Sequence, residues 1–244
     1  TIAGITNNAN GIVNLTSSGT ITSFNNAGNP STLNISANTV PTITTLTATA
    51  TGNTVNYSGT GQTLKVTSYY NLILSGGAKT FGAITTVSNN LTLSGTATAT
   101  TGANLAVGGN LNVGDGTTFT VGAFTLGVTG TTTVGAGTSG QLTISSATGT
   151  KTFTGAVTIN VGGAITESAA ATLSFGSDVT IGGSLTEFGA ATVGIAGSLA
   201  NNGTYTASTG VHTFSGATKT IGGTRAVSIG SVAVTGTYTN NGAL

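Results

Sequence analysis

Val157-Thr158-Ile159-Asn160-Val161 alternates apolar and polar side chains, and the same beat returns at Leu91-Thr92-Leu93, Leu111-Asn112-Val113, Phe119-Thr120-Val121 and Leu142-Thr143-Ile144. A period of two marks a strand with one buried face. Between these segments stand Gly-Gly, Asn-Asn, Ser-Gly, Asp-Gly and Asn-Gly, residues that accept positive φ or hydrogen-bond their own backbone in turns. Good helix formers are scarce: Arg occurs once and Met is absent. Thr, Gly, Ala, Ser, Asn and Val suit strands and turns instead. The chain is predicted to be all-β.

Charged residues are 4% of the 244, against about 25% in an ordinary soluble domain. Disordered chains are poor in apolar residues. Here 37% are hydrophobic, enough to bury a core. A net charge of +1 without any Lys/Arg cluster predicts no nucleic-acid partner and no attraction to an anionic membrane. No run approaches the roughly 18 apolar residues of a membrane span, and no secretory leader pattern is visible. The missing initiator Met fits either a processed protein or an excerpt of a longer one. Without Cys, stability has to come from packing and backbone hydrogen bonds.

Internal echoes decide between architectures. Lys79-Thr80-Phe81, Lys151-Thr152-Phe153 and Lys219-Thr220-Ile221 recur 72 and 68 residues apart, as if at one repeat position. TGNTVNYSGTGQTLKV from Thr51 echoes TGVHTFSGATKTIGG from Thr209, and NNGTYT at Asn201 echoes TYTNNG at Thr237. Separate sandwiches would need linkers, yet Pro occurs only at Pro30 and Pro41. A β-solenoid, which stacks each turn of chain on the last, fits better. The expectation is one continuous parallel β-helix over residues 1–244, taken as right-handed although the sequence does not fix the hand, with roughly 20–25 residues per coil and roughly ten to twelve coils. Residues 1–50 form looser coils, and 51–244 carry the long repeat. At about 4.8 Å per coil the rod would be about 50 Å long.

The segments from Asn56 to Gly95 and from Asn201 to Gly223 resemble the repeats of large secreted bacterial surface proteins, the β-strand-repeat or filamentous-haemagglutinin-like adhesins. The resemblance covers about residues 50–244, as a style of repeat. It implies an extracellular or cell-surface location and an adhesive or structural role. It transfers no catalytic motif, and the anchoring or secretion domains that usually end such proteins are not visible.

The four acids, Asp115, Glu167, Asp178 and Glu187, stand singly. Glu167 and Glu187 could sit one coil apart on one face, as glycoside hydrolysis would want, but no aromatic platform accompanies them, and they are expected to be solvated outward residues. A lyase would need basic groups and acidic metal ligands, and Arg225 is the one arginine. His212 is expected to face outward without partners. Asp115-Gly116 lacks the repeating pattern of a calcium site. Lys79, Lys151 and Lys219 are expected on exposed edges or turns, where lysine discourages stray sheet pairing. Tyr69-Tyr70 is expected to be buried or half-buried. No catalytic residue, metal site or cofactor is predicted, and the chain is not expected to be an enzyme.

Thr47 to Thr51 and Thr96 to Thr100 resemble the Thr-x-Thr arrays of ice-binding solenoids, but these two segments start 49 residues apart, about two coils, not in one column on successive coils. In the window 201–223, Tyr205, Val211, Phe214 and Ile221 are the candidates to fill the core. No capping helix closes either end, so the ends are expected to meet those of neighbours head to tail, an arrangement that builds a filament. The functional expectation is a structural subunit of an extracellular bacterial filament or surface coat, a homopolymer with lateral bundling, adhering to surfaces or polysaccharide. The alternatives are the repetitive stalk of a large adhesin and, third, an ice- or carbohydrate-binding solenoid.

Overall fold

The computed structural model describes residues 1–242. All its regular structure is β, and every strand pairing is parallel. The short alternating segments coil into a solenoid of about 12 turns.

Three faces form the wall. Face 1 runs the length of the rod, twelve strands from Ile12–Leu15 to Tyr238–Asn240. Face 2 has eight strands, from Gln62–Thr63 to Thr204–Thr206. Face 3 has eight, from Thr86–Val87 to Val232–Val234. Its counterpart in the first coils is a three-stranded sheet of Ile2–Thr6, Thr20–Asn25 and Thr42–Thr47, joined to it by the bridges of Tyr69 with Ala48 and Val87. The first coils therefore have two sides, and the third opens at Gln62. From Asn71 to Gly222 the chain visits faces 1, 2 and 3 in strict rotation. Coils differ in length: the register step on face 1 is 17 residues from Thr54 to Asn71 and 25 from Thr132 to Val157.

Alternation sends one side chain of each pair inward, and parallel register stacks these into columns. On face 1, Leu72, Leu91 and Leu111 stand above one another, with Leu74, Leu93 and Val113 beside them, all fully buried. Aromatic residues share this core: Phe153 stacks on Phe175 with ring centroids 5.5 Å apart, and Phe81 lies 6.0 Å from Phe119. Such columns are a continuous core in which each coil covers the apolar surface of its neighbour. Corners turn where no side chain fits. A Cβ on Gly183 would lie 2.1 Å from the carbonyl oxygen of Gly163, and one on Gly203 2.0 Å from that of Gly183. Backbone thus rests on backbone at the corner between faces 1 and 2.

The early, two-sided coils use polar stacking at a corner. Asn7 Nδ2 donates to Asn26 Oδ1 at 2.8 Å, Asn26 Nδ2 donates to Asn53 Oδ1, and Asn53 Nδ2 donates to Ser31 Oγ at 3.0 Å. All three asparagines are buried. This internal ladder satisfies groups that burial would otherwise leave unpaired.

The long sequence echo does not mark one place in the fold. Lys79 lies on face 2, Lys151 on face 3 and Lys219 on face 1, each ten strands after the last. Three coils take nine strands, so each long unit ends one face further round.

Candidate functional site

Four ionisable side chains line the inside of the edge between faces 2 and 3, one on each of four successive coils: Lys151, Glu167, Glu187 and His212. Register places them. Ile144 pairs with Glu167 at the end of face 2, and Thr166 pairs with Thr186, which sets Glu187 one coil above Glu167. Lys151 and His212 occupy one inward column of face 3, separated by Leu173 and Val193. All four are buried.

Each group spends its hydrogen-bonding capacity on the wall. Lys151 Nζ donates to the carbonyls of Ser146, Thr148 and Gly149 at 3.2, 2.6 and 2.7 Å, holding its own preceding turn from inside. Burial lowers its pKa, and the charge of Glu167 opposes that shift. Glu167 Oε1 accepts the N–H groups of Ala169 and Ala171 at 2.5 and 3.0 Å, and Oε2 accepts that of Phe188, in the next coil, at 3.0 Å. Glu187 Oε1 accepts the Tyr205 hydroxyl at 2.9 Å, and Oε2 accepts the Ser208 N–H at 3.0 Å. These carboxylates are staples between turns of adjacent coils.

His212 completes the cluster. Its Nε2 lies 2.7 Å from Glu187 Oε2 and its Nδ1 lies 3.0 Å from the Gly210 carbonyl. Both neighbours only accept, so the arrangement suits an imidazolium with both nitrogens protonated. Burial pushes its pKa down, but the hydrogen bond and charge of Glu187, with the backbone contacts, outweigh it and raise the value. Burial, then the Glu187 charge, pushes the Tyr205 phenol well up.

Several expectations are corrected by this geometry. Glu167 and Glu187 do sit one coil apart, but they face inward, with 1% and 4% exposure, and are not solvated outward residues. His212 is buried and paired, not outward and isolated. Lys79 and Lys151 are likewise buried rather than on exposed edges. Lys79 Nζ donates to the carbonyls of Gly59 and Gly76, and burial brings its pKa down to about 8. Lys219 is half-buried and lies 3.5 Å from Asp178 Oδ1, a partly exposed pair of small energetic weight. Val211 points outward at 44% exposure, Phe214 is buried, and Tyr205 and Ile221 are partly buried. Tyr69 is buried and Tyr70 half-buried, as expected, with the Tyr57 and Tyr69 hydroxyls 3.2 Å apart.

Asp115 reaches across a coil. Its Oδ1 accepts the N–H groups of Ala136, Thr138 and Ser139 at 2.7, 3.4 and 3.1 Å, which lowers its pKa to about 2 through the Ala136 and Ser139 bonds first. Asp178 does the same for Ser198 N–H at 2.7 Å. Among the described residues no three His, Asp or Glu side chains gather in metal-binding geometry.

Outside, face 2 carries one feature that the two Thr-rich segments did not disclose. Thr63, Thr80, Thr100, Thr120, Thr143, Thr166, Thr186 and Thr206 pair in unbroken register, one per coil over the whole sheet. A column of threonines on successive coils therefore exists, drawn from segments whose spacing in sequence varies. No family model, curated protein or solved structure matches this chain.

Proposed function

We propose that this chain is a structural rod, a subunit of an extracellular filament or surface coat that stacks head to tail on further copies of itself, with adhesion as a consequence. The observation that carries the reading is the stacking itself: each coil continues the parallel ladders of the one before it and covers its inward columns, along the whole of the described rod. Ile2 stands in the inward column below the buried Ile21 and Ile43, yet is 50% exposed. At the other end Val232 and Val234 stand above His212 and Phe214 in inward columns and are 50% and 54% exposed. A hollow of about 460 Å³ opens beside them, lined by Phe214, Val227, Ile229 and Tyr238. The outermost strands of faces 1 and 3 offer unpaired ladders in the same planes. A further coil on either side, from more of the same chain or from a second copy, would bury these side chains and extend the sheets, and a contact between unlike ends of two copies does not close.

The ionisable groups favour the same reading, since the buried ones brace turns instead of facing a cleft. The style of the repeat, similar to that of secreted adhesins, supports the extracellular location. Electron microscopy of the purified chain over a range of concentrations tests the proposal. The expected result is filaments with an axial repeat of about 58 Å, twelve coils at about 4.8 Å, which disappear when Val232 and Val234 are both changed to Lys. Dispersed short rods at every concentration overturn it and leave the stalk of a larger adhesin as the better reading.

A further inference from the structure

The threonine column of face 2 has two properties that bear on a ligand. The first is uniformity. Thr makes up 55 of the 244 residues, so a column with Thr at all eight positions is not what composition alone supplies. The matching outward column of face 3 reads Thr86, Ala106, Gly127, Thr152, Ser174, Gly194, Thr213 and Ala233 as it ascends. The second is what the hydroxyls do. On face 1, Asn14, Asn34 and Asn56 bond to one another along their column at 2.8 and 3.3 Å, and on face 3 the Thr172 and Thr192 hydroxyls are 3.0 Å apart and bonded. Among the described residues, none of the eight hydroxyls on face 2 has a protein partner; on face 1 the same is true of Thr133, Thr158 and Thr180, but these stand in a mixed column between Asn112 and Ala200.

Those hydroxyls face outward and are open to water or to a surface laid against them, and their setting says which kind of surface fits. The second outward column of face 2 is Ala78, Thr98, Thr118, Gln141, Ala164, Ser184 and Thr204. The face therefore has no charge, which removes an ionic partner, and no aromatic ring, which removes a stacking platform for sugar. It also lacks the aromatic and large apolar anchors that hold a protein partner. What remains is a regular lattice of hydroxyl and methyl groups, about 4.8 Å apart along the rod and about 6.7 Å apart along a strand where Thr pairs stand side by side, as at Thr98 and Thr100. The backbone beneath is fixed by the buried Phe119, Leu142, Ile165 and Leu185. β-branching further limits the threonine rotamers, so little order has to be imposed on binding.

We propose that face 2 binds ice. Rows of oxygen atoms on an ice surface repeat at a spacing close to that of stacked strands, and water in such a lattice can both donate to and accept from each hydroxyl while it packs against the methyl. This inference stands apart from head-to-tail stacking, since it uses the side of the rod and not its ends.

The test measures thermal hysteresis and ice recrystallisation inhibition by the intact chain, then by Thr143→Tyr and Thr120→Tyr. Thr133→Tyr, on the outer surface of face 1, is the control. The expected result is faceted ice crystals and inhibition with the unchanged chain, loss of both with either face 2 variant, and no loss with the control, all with unchanged far-UV circular dichroism. No effect of the unchanged chain on ice overturns the proposal. So does equal loss with Thr133→Tyr. If the face 2 variants instead disperse a lateral dimer or release the chain from an insoluble polysaccharide, without any ice activity to lose, the face serves that other partner and the proposal fails.

Discussion

Changing Glu187 to Ala would remove one carboxylate and orphan three donors, two of them fully buried and the third, on Tyr205, partly so. His212 Nε2, the Tyr205 hydroxyl and the Ser208 N–H all meet this side chain, at 2.7, 2.9 and 3.0 Å. Each buried donor left without a partner costs about 1–3 kcal/mol, and breaking one side of a buried ion pair costs about 3–5 kcal/mol in total, so the variant should lose about 3–5 kcal/mol. Removing the whole cluster tells a different story. Glu187→Leu, Tyr205→Phe and His212→Leu together put apolar side chains into columns that already hold Ile144, Leu185 and Val193. That triple variant should recover stability to within about 1–2 kcal/mol of the unchanged chain, the Ser208 N–H being the one donor still orphaned. The dependence on pH follows from the raised pKa of His212. A group whose folded-state pKa lies above its unfolded value stabilises fully below the unfolded value, about 6.5, and loses that contribution as pH rises through the folded one. The gap between the unchanged chain and Glu187→Ala should therefore be wider near about pH 5.5 than near about pH 9. Urea unfolding followed by circular dichroism at both pH values measures it. A cost below about 1 kcal/mol for the single variant, or a gap that widens as pH rises, would refute the buried charged pair.

Gly183→Ala would push a methyl group against the carbonyl oxygens of Gly163 and Asn160, at 2.1 and 2.4 Å. Because backbone cannot swing aside as a side chain can, the cost should be about 3 kcal/mol or more, seen as lost amide protection in the adjoining coils, while Gly127→Ala, with open space around it, changes little. Lys151→Met keeps an unbranched stem in the column but leaves the carbonyls of Ser146, Thr148 and Gly149 without their donor. It should cost about 2–3 kcal/mol by urea unfolding, against about 0.5 kcal/mol or less for Lys219→Met, whose partner Asp178 is itself exposed.

Period two was enough to read the strands, the turns and the coiling, because in a solenoid both sides of every decision are local. Taken from the bulky neighbour, the same phase points the buried charges inward. Phe153 faces inward, so Lys151, two residues earlier, does too; Phe214 fixes His212 in the same way, Ile165 fixes Glu167, and Leu185 fixes Glu187. The preference for charge at the surface pulls against that phase, and the sequence alone does not show which prevails. Burial becomes affordable only through partners such as the Phe188 and Ser208 N–H groups, each supplied about one coil later in the chain. The asparagine ladder of the first coils is hidden for the same reason. Asn7, Asn26 and Asn53 look like ordinary turn residues until stacking brings their amides together. The threonine column was obscured by arithmetic: coils of 17 to 25 residues give no fixed spacing along which to count.

The mismatch between the long repeat and the coil bears on what that column means. Ten strands per long unit, on a wall of three faces, move any copied motif one face round at each copy: Lys-Thr-Phe appears on face 2, then face 3, and its Lys-Thr-Ile variant on face 1. Growth of the chain by duplication of that unit would spread a threonine-rich segment over all three faces in turn, and would spread its absence equally. It would not produce eight threonines on one face with a mixed column of Ala, Gly, Ser and Thr on the next. Uniformity along face 2 therefore has to arise at the level of the single coil, position by position, through segments of unequal length. Core packing does not require it, because these side chains point away from the core, and strand propensity does not require it, because face 3 forms the same ladder with Gly127 and Gly194 in the equivalent place. A requirement that acts on one outer face, once per coil, is what contact with a periodic surface would impose.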